Sequence, residues 1–381
     1  MNIIFTVATY YPKTDGVQLV TQYHAEELAK KGHKVTVITS KIDGQTNREV
    51  HNGVEILRID AYNIYYWHKG NKKQYQELVL EKAKEADALV AVCLQSFSAD
   101  WLLDILPKIA CRKILYLHGM PDFKLHISDF KNLKKLLKTV FRNIRWKYFY
   151  TVHFNQIKEF DAITHLFKND NSYQYFSKRG YKKNYVIENA CDDVFFEDIN
   201  INEKKKYFIY VGNYCDRKNQ ELALRAFYDA NLQDFGMVFI GSKLNNYCKN
   251  LISVNEKLEK KYGKRNVKIL YEIPREKISK YTKEAYACVI SSNYEYYPIT
   301  IVESLAAGNP FISTNVGIVR FLPGGIIANT QEEISYWIEF LGKNPKYTGE
   351  LGKAGKNYAI NNLKIETKVK VLEEIIRGDQ E

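Results

Sequence analysis

The sequence lacks any long hydrophobic run. No apolar stretch approaches the roughly 18 residues that a membrane-spanning helix requires, so we expect no transmembrane segment. The first residues form no basic cluster and turn polar by Lys13, which is unlike a secretory signal peptide. Both absences predict a cytoplasmic protein.

Cysteine is also sparse. The 381 residues include six cysteines, with no Cys-x-x-Cys pair and no histidine partner at zinc spacing. Scattered thiols are typical of a reduced, intracellular chain. We therefore expect neither a metal site nor a bound cofactor.

Acidic residues are outnumbered by basic ones, 44 against 56, which gives a formal charge of +12 at pH 7. Residues 124–158 contain nine Lys or Arg and one acid, Asp129, interleaved with leucines and aromatics at spacings of three and four. This pattern predicts an amphipathic basic helix. It suits either an anionic membrane surface or a helix packed on the core with a solvated basic face. No DNA- or RNA-binding motif is visible, so we expect no nucleic-acid partner.

Short β-rich runs alternate with helical segments along the whole chain. This alternation predicts an α/β fold with two mainly parallel, doubly wound sheets, and the length suits two domains of ordinary size. The polar stretch 197–203 is the expected linker. The predicted strands are 2–8, 34–40, 53–58, 87–93, 113–118, 161–165, 207–212, 235–241, 266–271, 286–290 and 310–314.

A short helix is predicted from Pro298 to Ala307, because Pro298 suits a first helical position and Gly308 suits a helix end. Its amino end would expose the N–H groups of Ile299 and Thr300. Together with the helix dipole, such donors favour a phosphate.

Two carboxylates, Glu295 and Glu303, lie eight positions apart across the start of this helix. A carboxylate can accept both protons of a vicinal diol, such as that of a ribose or a sugar ring. The two would bracket a diphosphate held between them, which predicts a sugar-nucleotide site. Taken alone, the same spacing also arises by chance.

The surrounding segment, residues 287–317, resembles the retaining GT-B glycosyltransferases of family 4, which carry a Glu-x7-Glu signature at this place. The resemblance implies that Glu295 contacts the donor sugar and Glu303 the ribose. It also implies two Rossmann-like domains facing across a cleft, namely 1–196 on the acceptor side and 203–362 binding the nucleotide sugar. The C-terminal helix, 363–381, is then expected to cross back onto the first domain.

The amino-terminal segment NIIFTVATYYPKTDG, followed by a predicted helix over 17–31, is similar to the family's opening strand, loop and helix. The resemblance implies that Gly16 lies close to the donor phosphate and the acceptor. The family usually shows two glycines there, whereas this chain has Asp15 before Gly16. Asp15 either caps the helix or takes part in the chemistry.

The run KILYLHG places His118 at the carboxyl end of a predicted strand, the edge where open α/β sheets bind ligands. The resemblance implies that His118 lies against the donor sugar, in or beside the reaction centre. A purely structural histidine is the alternative.

Residues 207–227 resemble the family's phosphate-binding segment, with Gly212 in the loop and Lys218 as its lysine. A lysine there can neutralise the diphosphate that departs with the nucleotide. The family normally has an arginine directly after the glycine, whereas Asn213 follows here. Arg217 either supplies that charge or is a solvated surface residue.

Residues 186–196, VIENACDDVFF, resemble the family's interdomain signature, with Asn189 and Asp192 retained and Ala190 in place of a glycine. We interpret them as scaffolding near the hinge. A further aromatic cluster, Tyr62, Tyr65, Tyr66 and Trp67, either stacks on sugar rings or packs within the first domain.

The sequence therefore predicts a metal-independent, retaining hexosyltransferase with a nucleoside-diphosphate sugar as donor, a UDP-sugar being preferred on family frequency. The expected acceptor is a saccharide or a lipid-linked saccharide, in cell-surface polysaccharide or glycolipid synthesis. The enzyme would act in the cytoplasm or peripherally on the inner face of the membrane. Two rivals stay open: a nucleotide-sugar epimerase or hydrolase, and a non-catalytic binding or stabilising partner.

Overall fold

The computed structural model describes residues 1–13, 16–65, 67–125, 130, 132–197 and 204–379. Asp15, Tyr66, Asp129 and most of the predicted linker lie outside these ranges. The chain divides into two compact units. The first comprises Met1–Glu188 together with Glu366–Glu381, and the second comprises Asn189–Ile365.

Parallel strands build the first unit. Its strands are β1 (Asn2–Thr6), β2 (Lys34–Ser40), β3 (Arg48–His51), β4 (Val54–Ile59), β5 (Ala61–Ile64), β6 (Trp67–Gly70), β7 (Ala88–Val92), β8 (Arg112–Tyr116), β9 (Ala162–His165) and β10 (Asn184–Val186). Within the described residues, eight of them form one sheet in the order β10-β9-β8-β7-β1-β2-β4-β3, antiparallel only where β3 meets β4. The hairpin of β5 and β6 stands apart from this sheet.

Helices connect these strands and cover the sheet. They are α1 (Gly16–Lys30), α2 (Lys72–Ala83), α3 (Phe97–Asp100), α4 (Leu133–Val152), α5 (Phe154–Ile157) and α6 (Asn171–Ser177). Every residue of the strand β7, Ala-Leu-Val-Ala-Val, is buried, which is typical of a central parallel strand covered on both faces. The core of the first unit therefore lies on both sides of β7.

The second unit has its own parallel sheet. Its strands are β11 (Tyr207–Val211), β12 (Gly236–Gly241), β13 (Val267–Tyr271), β14 (Ala287–Ile290), β15 (Phe311–Ser313) and β16 (Gly325–Ile327). In the described part of the chain the order is β13-β12-β11-β14-β15-β16. The chain leaves β11 toward β12 on one side, whereas β14 lies on the other side. This reversal of direction opens a crevice at the carboxyl ends of β11 and β14.

The remaining helices follow in chain order. They are α7 (Gln220–Asp229), α8 (Asn246–Tyr262), α9 (Arg275–Glu284), α10 (Ile299–Ala306), α11 (Gln331–Lys343), α12 (Pro345–Asn362) and α13 (Ile365–Arg377). Helix α13 belongs to the first unit from Glu366 onward. There the Glu373 carboxylate accepts hydrogen bonds from Lys31 Nζ at 2.9 Å and from the His33 ring at 2.6 Å.

The α/β class with two parallel sheets is confirmed. A strand occurs at each predicted position, with bounds that differ by at most two residues. The strands β3, β5, β6, β10 and β16 were not predicted, because runs of three or four residues, several of them polar, give too little alternation to recognise.

The boundary between the units lies at Glu188 and Asn189, earlier than the predicted linker at 197–203. Residues 189–197 pack with the second unit. The Asn189 side chain donates to the carbonyl of Tyr297 at 2.9 Å, and the Cys191 N–H donates to the carbonyl of Leu363 at 3.2 Å. This tether explains why the chain enters the second unit before its polar stretch begins.

The basic helix predicted over 124–158 is shorter in the structure. Asn132 caps α4, since its side chain accepts from the Lys134 N–H at 2.8 Å, and α5 starts as a separate short helix at Phe154. Among the described residues, no helix is both long enough and apolar enough to cross a membrane.

Candidate functional site

Two loops meet at the crevice of the second unit. The loop of residues 212–219 follows β11, and the loop of residues 291–298 follows β14. Because parallel strands end at the same edge of a sheet, the side chains of both loops converge there. The first loop carries Lys218 and the second carries Glu295.

Glu295 lies between two cations. Its Oε1 accepts from Lys218 Nζ at 2.6 Å and from the Ser292 hydroxyl at 2.9 Å, and its Oε2 accepts from Arg217 Nη1 at 2.8 Å. The Glu295 and Lys218 side chains are largely buried, whereas Arg217 is about half exposed. A buried carboxylate is stable only when it is paired and hydrogen-bonded, and both oxygens meet that condition here. Arg217 is therefore an ion-pair partner of Glu295 and not only a solvated surface residue.

Backbone hydrogen bonds hold the 212–219 loop. The buried Gln220 side chain donates to the carbonyls of Gly212 at 3.2 Å and Asn213 at 3.1 Å. The Tyr210 hydroxyl donates to the carbonyl of Lys218 at 2.5 Å. A Cβ at position 212 would lie 3.3 Å from Lys218 Cε, so the glycine leaves room for the lysine chain.

The amino end of α10 opens onto the same edge. The helix spans Ile299–Ala306, one residue shorter at each end than predicted. The Thr300 hydroxyl donates to the carbonyl of Val211 at 3.1 Å, which ties the start of α10 to the end of β11. Within the described part of the chain, the N–H groups of Ile299 and Thr300 have no hydrogen-bond acceptor. Free N–H groups at a helix start are suited to an anion.

Glu303 lies one turn further into α10 and is only 1% exposed. Its Oε1 accepts from the guanidinium of Arg275, the first residue of α9, which also stacks on the Phe195 ring with 5.2 Å to the centroid. Burial raises the pKa of the Glu303 carboxyl above its usual range, and Arg275 opposes that shift. Arg275 was not predicted, because no local pattern links residues 28 positions apart.

His118 and Gly16 belong to the first unit. Gly16 is exposed and begins α1. His118 follows β8 and is buried, with its ring centroid 4.8 Å from that of Tyr116. Burial lowers the His118 pKa to about 3, and the nearby His24 adds to this effect. The imidazole is therefore neutral at pH 7, and its Nε2 has no hydrogen-bond partner among the described residues.

The six predicted site residues of the second unit fall into one region. Gly212, Lys218 and Glu295 form one cluster, and Thr300 joins it through Val211. Ile299 and Glu303 lie on the same helix as Thr300. In the described residues, no three His, Cys, Asp or Glu side chains converge as metal ligands.

A cavity of about 930 Å³ also lies in the second unit, away from these residues. Lys206, Phe235, Tyr286 and Pro310 line it, and each directly precedes a strand of the sheet. The cavity is therefore at the amino ends of the strands, on the edge opposite to Glu295.

Protonation of buried histidines is expected to make stability depend on pH. Burial lowers the pKa of His118 to about 3 and that of His24 to about 4. An unfolded histidine binds a proton below about pH 6.5, so the stability from each neutral ring is complete above that pH and is lost as the pH falls toward the folded pKa. The loss approaches about 1.4 kcal/mol per pH unit for each ring. Urea unfolding at several pH values measures this slope, and His118→Gln should reduce it; equal slopes in the two proteins contradict the assignment.

Gly317 is expected to control the position of the Glu295 loop. It has φ +52°, and a Cβ there would lie 1.9 Å from the carbonyl oxygen of Tyr296 and 2.7 Å from that of Glu295. Gly317→Ala should lower the free energy of unfolding by about 1–3 kcal/mol more than Gly263→Ala. Gly263 is a matched control, since it shares a positive φ but has open space around its Cβ position. Urea denaturation compares the two variants, and equal losses would mean that the loop adapts freely.

Part of the second unit is similar to a known protein family. Residues 192–357 match the sequence model of the family described as "Glycosyl transferases group 1". This stretch includes Glu295, Glu303 and Lys218. A shorter match, 40% identical over 67 residues, links the chain to an uncharacterized 42.6 kDa protein in the cps region of Klebsiella pneumoniae. It covers 17% of this chain and 18% of that protein.

Solved structures match over almost the whole length. Sucrose-phosphate synthase from Thermosynechococcus elongatus is 15% identical with a TM-score of 0.74, covering 99% of this chain and 98% of that one. HepE of Anabaena, in complex with UDP and glucose, is 15% identical with a TM-score of 0.72, covering 99% and 100%. A glycosyltransferase from Rickettsia africae is 15% identical with a TM-score of 0.72, covering 99% and 98%. The chain therefore has the GT-B fold, and its second unit carries the segment that matches the glycosyl transferases group 1 family.

Proposed function

We propose that the protein is a retaining hexosyltransferase that moves a sugar from a nucleoside diphosphate, with UDP the preferred one, to an acceptor hydroxyl. The observation that carries this proposal is the pairing of Glu295 with Lys218 and Arg217 beside the open amino end of α10. The match of residues 192–357 to group 1 glycosyl transferases supports the reaction class. HepE, which shares the fold and is crystallised with UDP and glucose, supports the choice of donor.

The site has suitable groups for each part of such a donor. The N–H groups of Ile299 and Thr300 and the ammonium of Lys218 would hold the diphosphate. Glu303 would accept from the ribose hydroxyls, using Oε2 because Arg275 occupies Oε1. Glu295 would accept from a hydroxyl of the sugar, since a carboxylate can take two such bonds.

Donor binding would exchange partners within the cluster. Without donor, Lys218 is bound to Glu295 Oε1. A diphosphate carries more negative charge than one carboxylate and would draw the ammonium toward itself. Arg217, which binds Oε2, would keep Glu295 in place while Oε1 becomes free for the sugar. This gives Arg217 the role that an arginine at position 213 has in the related family.

Transfer would proceed by front-face displacement without a metal ion. The bond between the anomeric carbon and the diphosphate oxygen breaks, and the acceptor oxygen bonds to the same face of that carbon. The acceptor proton passes to the departing diphosphate oxygen. Configuration is retained because the acceptor oxygen bonds to the face that the diphosphate leaves. Lys218 and the start of α10 stabilise the charge that grows on the diphosphate, the kind of electrostatic stabilisation that often contributes most to catalysis. The neutral His118 ring is suited to a hydrogen bond with a sugar hydroxyl.

The proposed acceptor is a saccharide used in cell-surface polysaccharide or glycolipid synthesis. The partial match to a protein of the cps region supports a role of this kind.

Donor binding tests the proposal first. Thermal shift with a panel of nucleoside diphosphates and their sugars should give a selective response to UDP, because a ligand at 100 times its dissociation constant adds about 2.7 kcal/mol of stability. Glu303→Ala should abolish the response. Lys218→Ala and Glu295→Gln should each lower kcat about 10²-fold, by analogy with the loss of one oxyanion donor. Lys264→Ala, at an exposed lysine of the same unit, is the control and should match the wild type.

A shift with no nucleotide would favour the rival proposal of a non-catalytic binding partner, which rests on Asn213 in place of the family arginine. Conversion of the donor alone to a new sugar would instead identify an epimerase. Wild-type turnover in Lys218→Ala or Glu295→Gln would remove those residues from the mechanism.

The role of Arg217 has its own test. Arg217→Ala should lower kcat/KM at least 10-fold, because the loss of one charge-assisted hydrogen bond costs about 1.5–3 kcal/mol. Adding Asn213→Arg in that background should recover part of the loss if position 213 can supply the same charge. Kinetics of the wild type, the single variants and the double variant form a complete cycle. Unchanged kinetics in Arg217→Ala would leave Arg217 with no part in donor binding.

A further inference from the structure

Helix α4 presents its large apolar side chains to solvent. Six of them recur at spacings of three and four and so share one face of the helix. Each is at least half exposed, from 52% for Val152 to 72% for Leu133. We call this face the α4 stripe: Leu133, Leu137, Phe141, Ile144, Tyr148 and Val152.

The opposite face of α4 is buried and partly polar. It contains Thr139 and Asn143, with Trp146 and Tyr150. The Asn143 side chain donates to the carbonyl of Lys124 at 3.1 Å, which satisfies it in the interior. Helix α4 thus packs on the core through Trp146 and Tyr150, whereas the apolar side chains of the stripe stay exposed. A contiguous exposed apolar face of this kind marks an interaction surface.

Positive charge borders the stripe. Helix α4 contains six Lys or Arg and no Asp or Glu. Most of them fall along one side of the helix between the stripe and the buried face. They are Lys134, Lys135, Lys138, Arg142 and Arg145.

The hairpin of β5 and β6 extends this surface. Tyr65, which follows β5, is 82% exposed, and Trp67, the first residue of β6, is 56% exposed. The Arg145 guanidinium lies 3.9 Å from the centroid of the Trp67 ring, and Lys138 Nζ lies 5.4 Å from that of Tyr65. These contacts place two amphipathic aromatic rings beside the basic border, all within the first unit.

We propose that the α4 stripe, together with Tyr65 and Trp67, forms a docking surface for an anionic lipid bilayer. Leucine, isoleucine and phenylalanine side chains can enter the acyl boundary, while tyrosine and tryptophan favour the interface. Lysine and arginine attract anionic headgroups. Each group on this face therefore has a partner in such a membrane.

A second copy of the chain suits this surface less well. Pairing two such faces would bring two sets of basic side chains together without an acid from either helix to neutralise them. Like charges opposed across an interface disfavour association. Charge complementarity thus favours an anionic membrane over self-association.

This inference does not depend on the proposed transfer reaction, since it concerns only contacts within the first unit. If both hold, a docked enzyme is suited to a lipid-linked saccharide as acceptor, and that step alone rests on the proposed function.

Vesicle co-sedimentation of the full chain tests the docking surface. We expect binding to vesicles that contain phosphatidylglycerol and little binding to phosphatidylcholine alone, with affinity falling as salt increases. The variant Leu137→Gln/Phe141→Gln/Ile144→Gln should lose about 10²-fold or more in affinity, because three large apolar side chains no longer enter the bilayer. Tyr336→Gln/Phe321→Gln, at exposed aromatics of the second unit, is the matched control and should bind like the wild type.

A charge variant checks the basic border separately. Lys134→Gln/Lys138→Gln should weaken binding about 30-fold, at roughly fivefold for each lysine. Lys260→Gln/Lys264→Gln removes two exposed charges from the second unit and should have a much smaller effect. All substituted side chains are exposed, so thermal unfolding should confirm that each variant is folded.

Equal binding by the stripe variant and its control would overturn the proposal, as would the absence of wild-type binding to anionic vesicles. Dimerisation or RNA binding that depends on the stripe, without vesicle binding, would also overturn it and identify the other partner. Donor-dependent thermal shifts are measured without lipid, so failure of docking and failure of the transferase proposal are distinguishable.

Discussion

The ion pairs from Lys218 and Arg217 to Glu295 join the two loops on which the candidate site depends. These loops follow β11 and β14, which are neighbours in the sheet although they lie far apart in the chain. A largely buried carboxylate such as Glu295 is tolerated only when both of its oxygens accept hydrogen bonds. Lys218 and Arg217 each bind one oxygen, and Ser292 adds a third donor. Lys218 and Glu295 stabilise the loops when no ligand is bound, and a diphosphate would draw them apart. The same two side chains therefore have both the structural role and the proposed chemical role.

Two further hydrogen bonds fix the position of helix α10 beside these loops. Thr300 ties the start of α10 to Val211, and Asn189 holds the carbonyl of Tyr297 just before the helix begins. The first N–H groups of α10 are thereby directed to the sheet edge while their own helix gives them no acceptor. Glu303, enclosed with Arg275, is the most buried charge of the region, and the rise in its pKa reflects the cost of that burial. Positioning by the backbone and neutralisation by cations thus act together on a site suited to an anionic ligand.

The two units use buried and exposed groups in opposite ways. The second unit buries charged side chains in pairs at one edge of its sheet, as a ligand site requires. The first unit buries Trp146 and Tyr150 of α4, together with Thr139 and Asn143, and leaves a second apolar face of the same helix exposed. Exposure of leucine, phenylalanine and isoleucine to water is unfavourable, and transfer of these side chains into a membrane interface removes that cost. The bordering lysines remain available to anionic headgroups. Donor chemistry and membrane docking would then belong to different units of one chain.

The sequence by itself determined the parallel α/β architecture, because strands, helix ends and turn residues leave local patterns of period, proline and glycine. It located α10 to within one residue, and Lys218, Glu295 and Glu303 were selected as candidate site residues through a family resemblance. Only the tertiary structure decided that Arg217 binds Glu295 and that Arg275 binds Glu303, since contacts between residues 78 and 28 positions apart leave no local signal. It also decided which face of α4 meets solvent. A helical spacing of apolar residues indicates that an apolar face exists, whereas the burial of that face depends on which other elements of the chain pack against it.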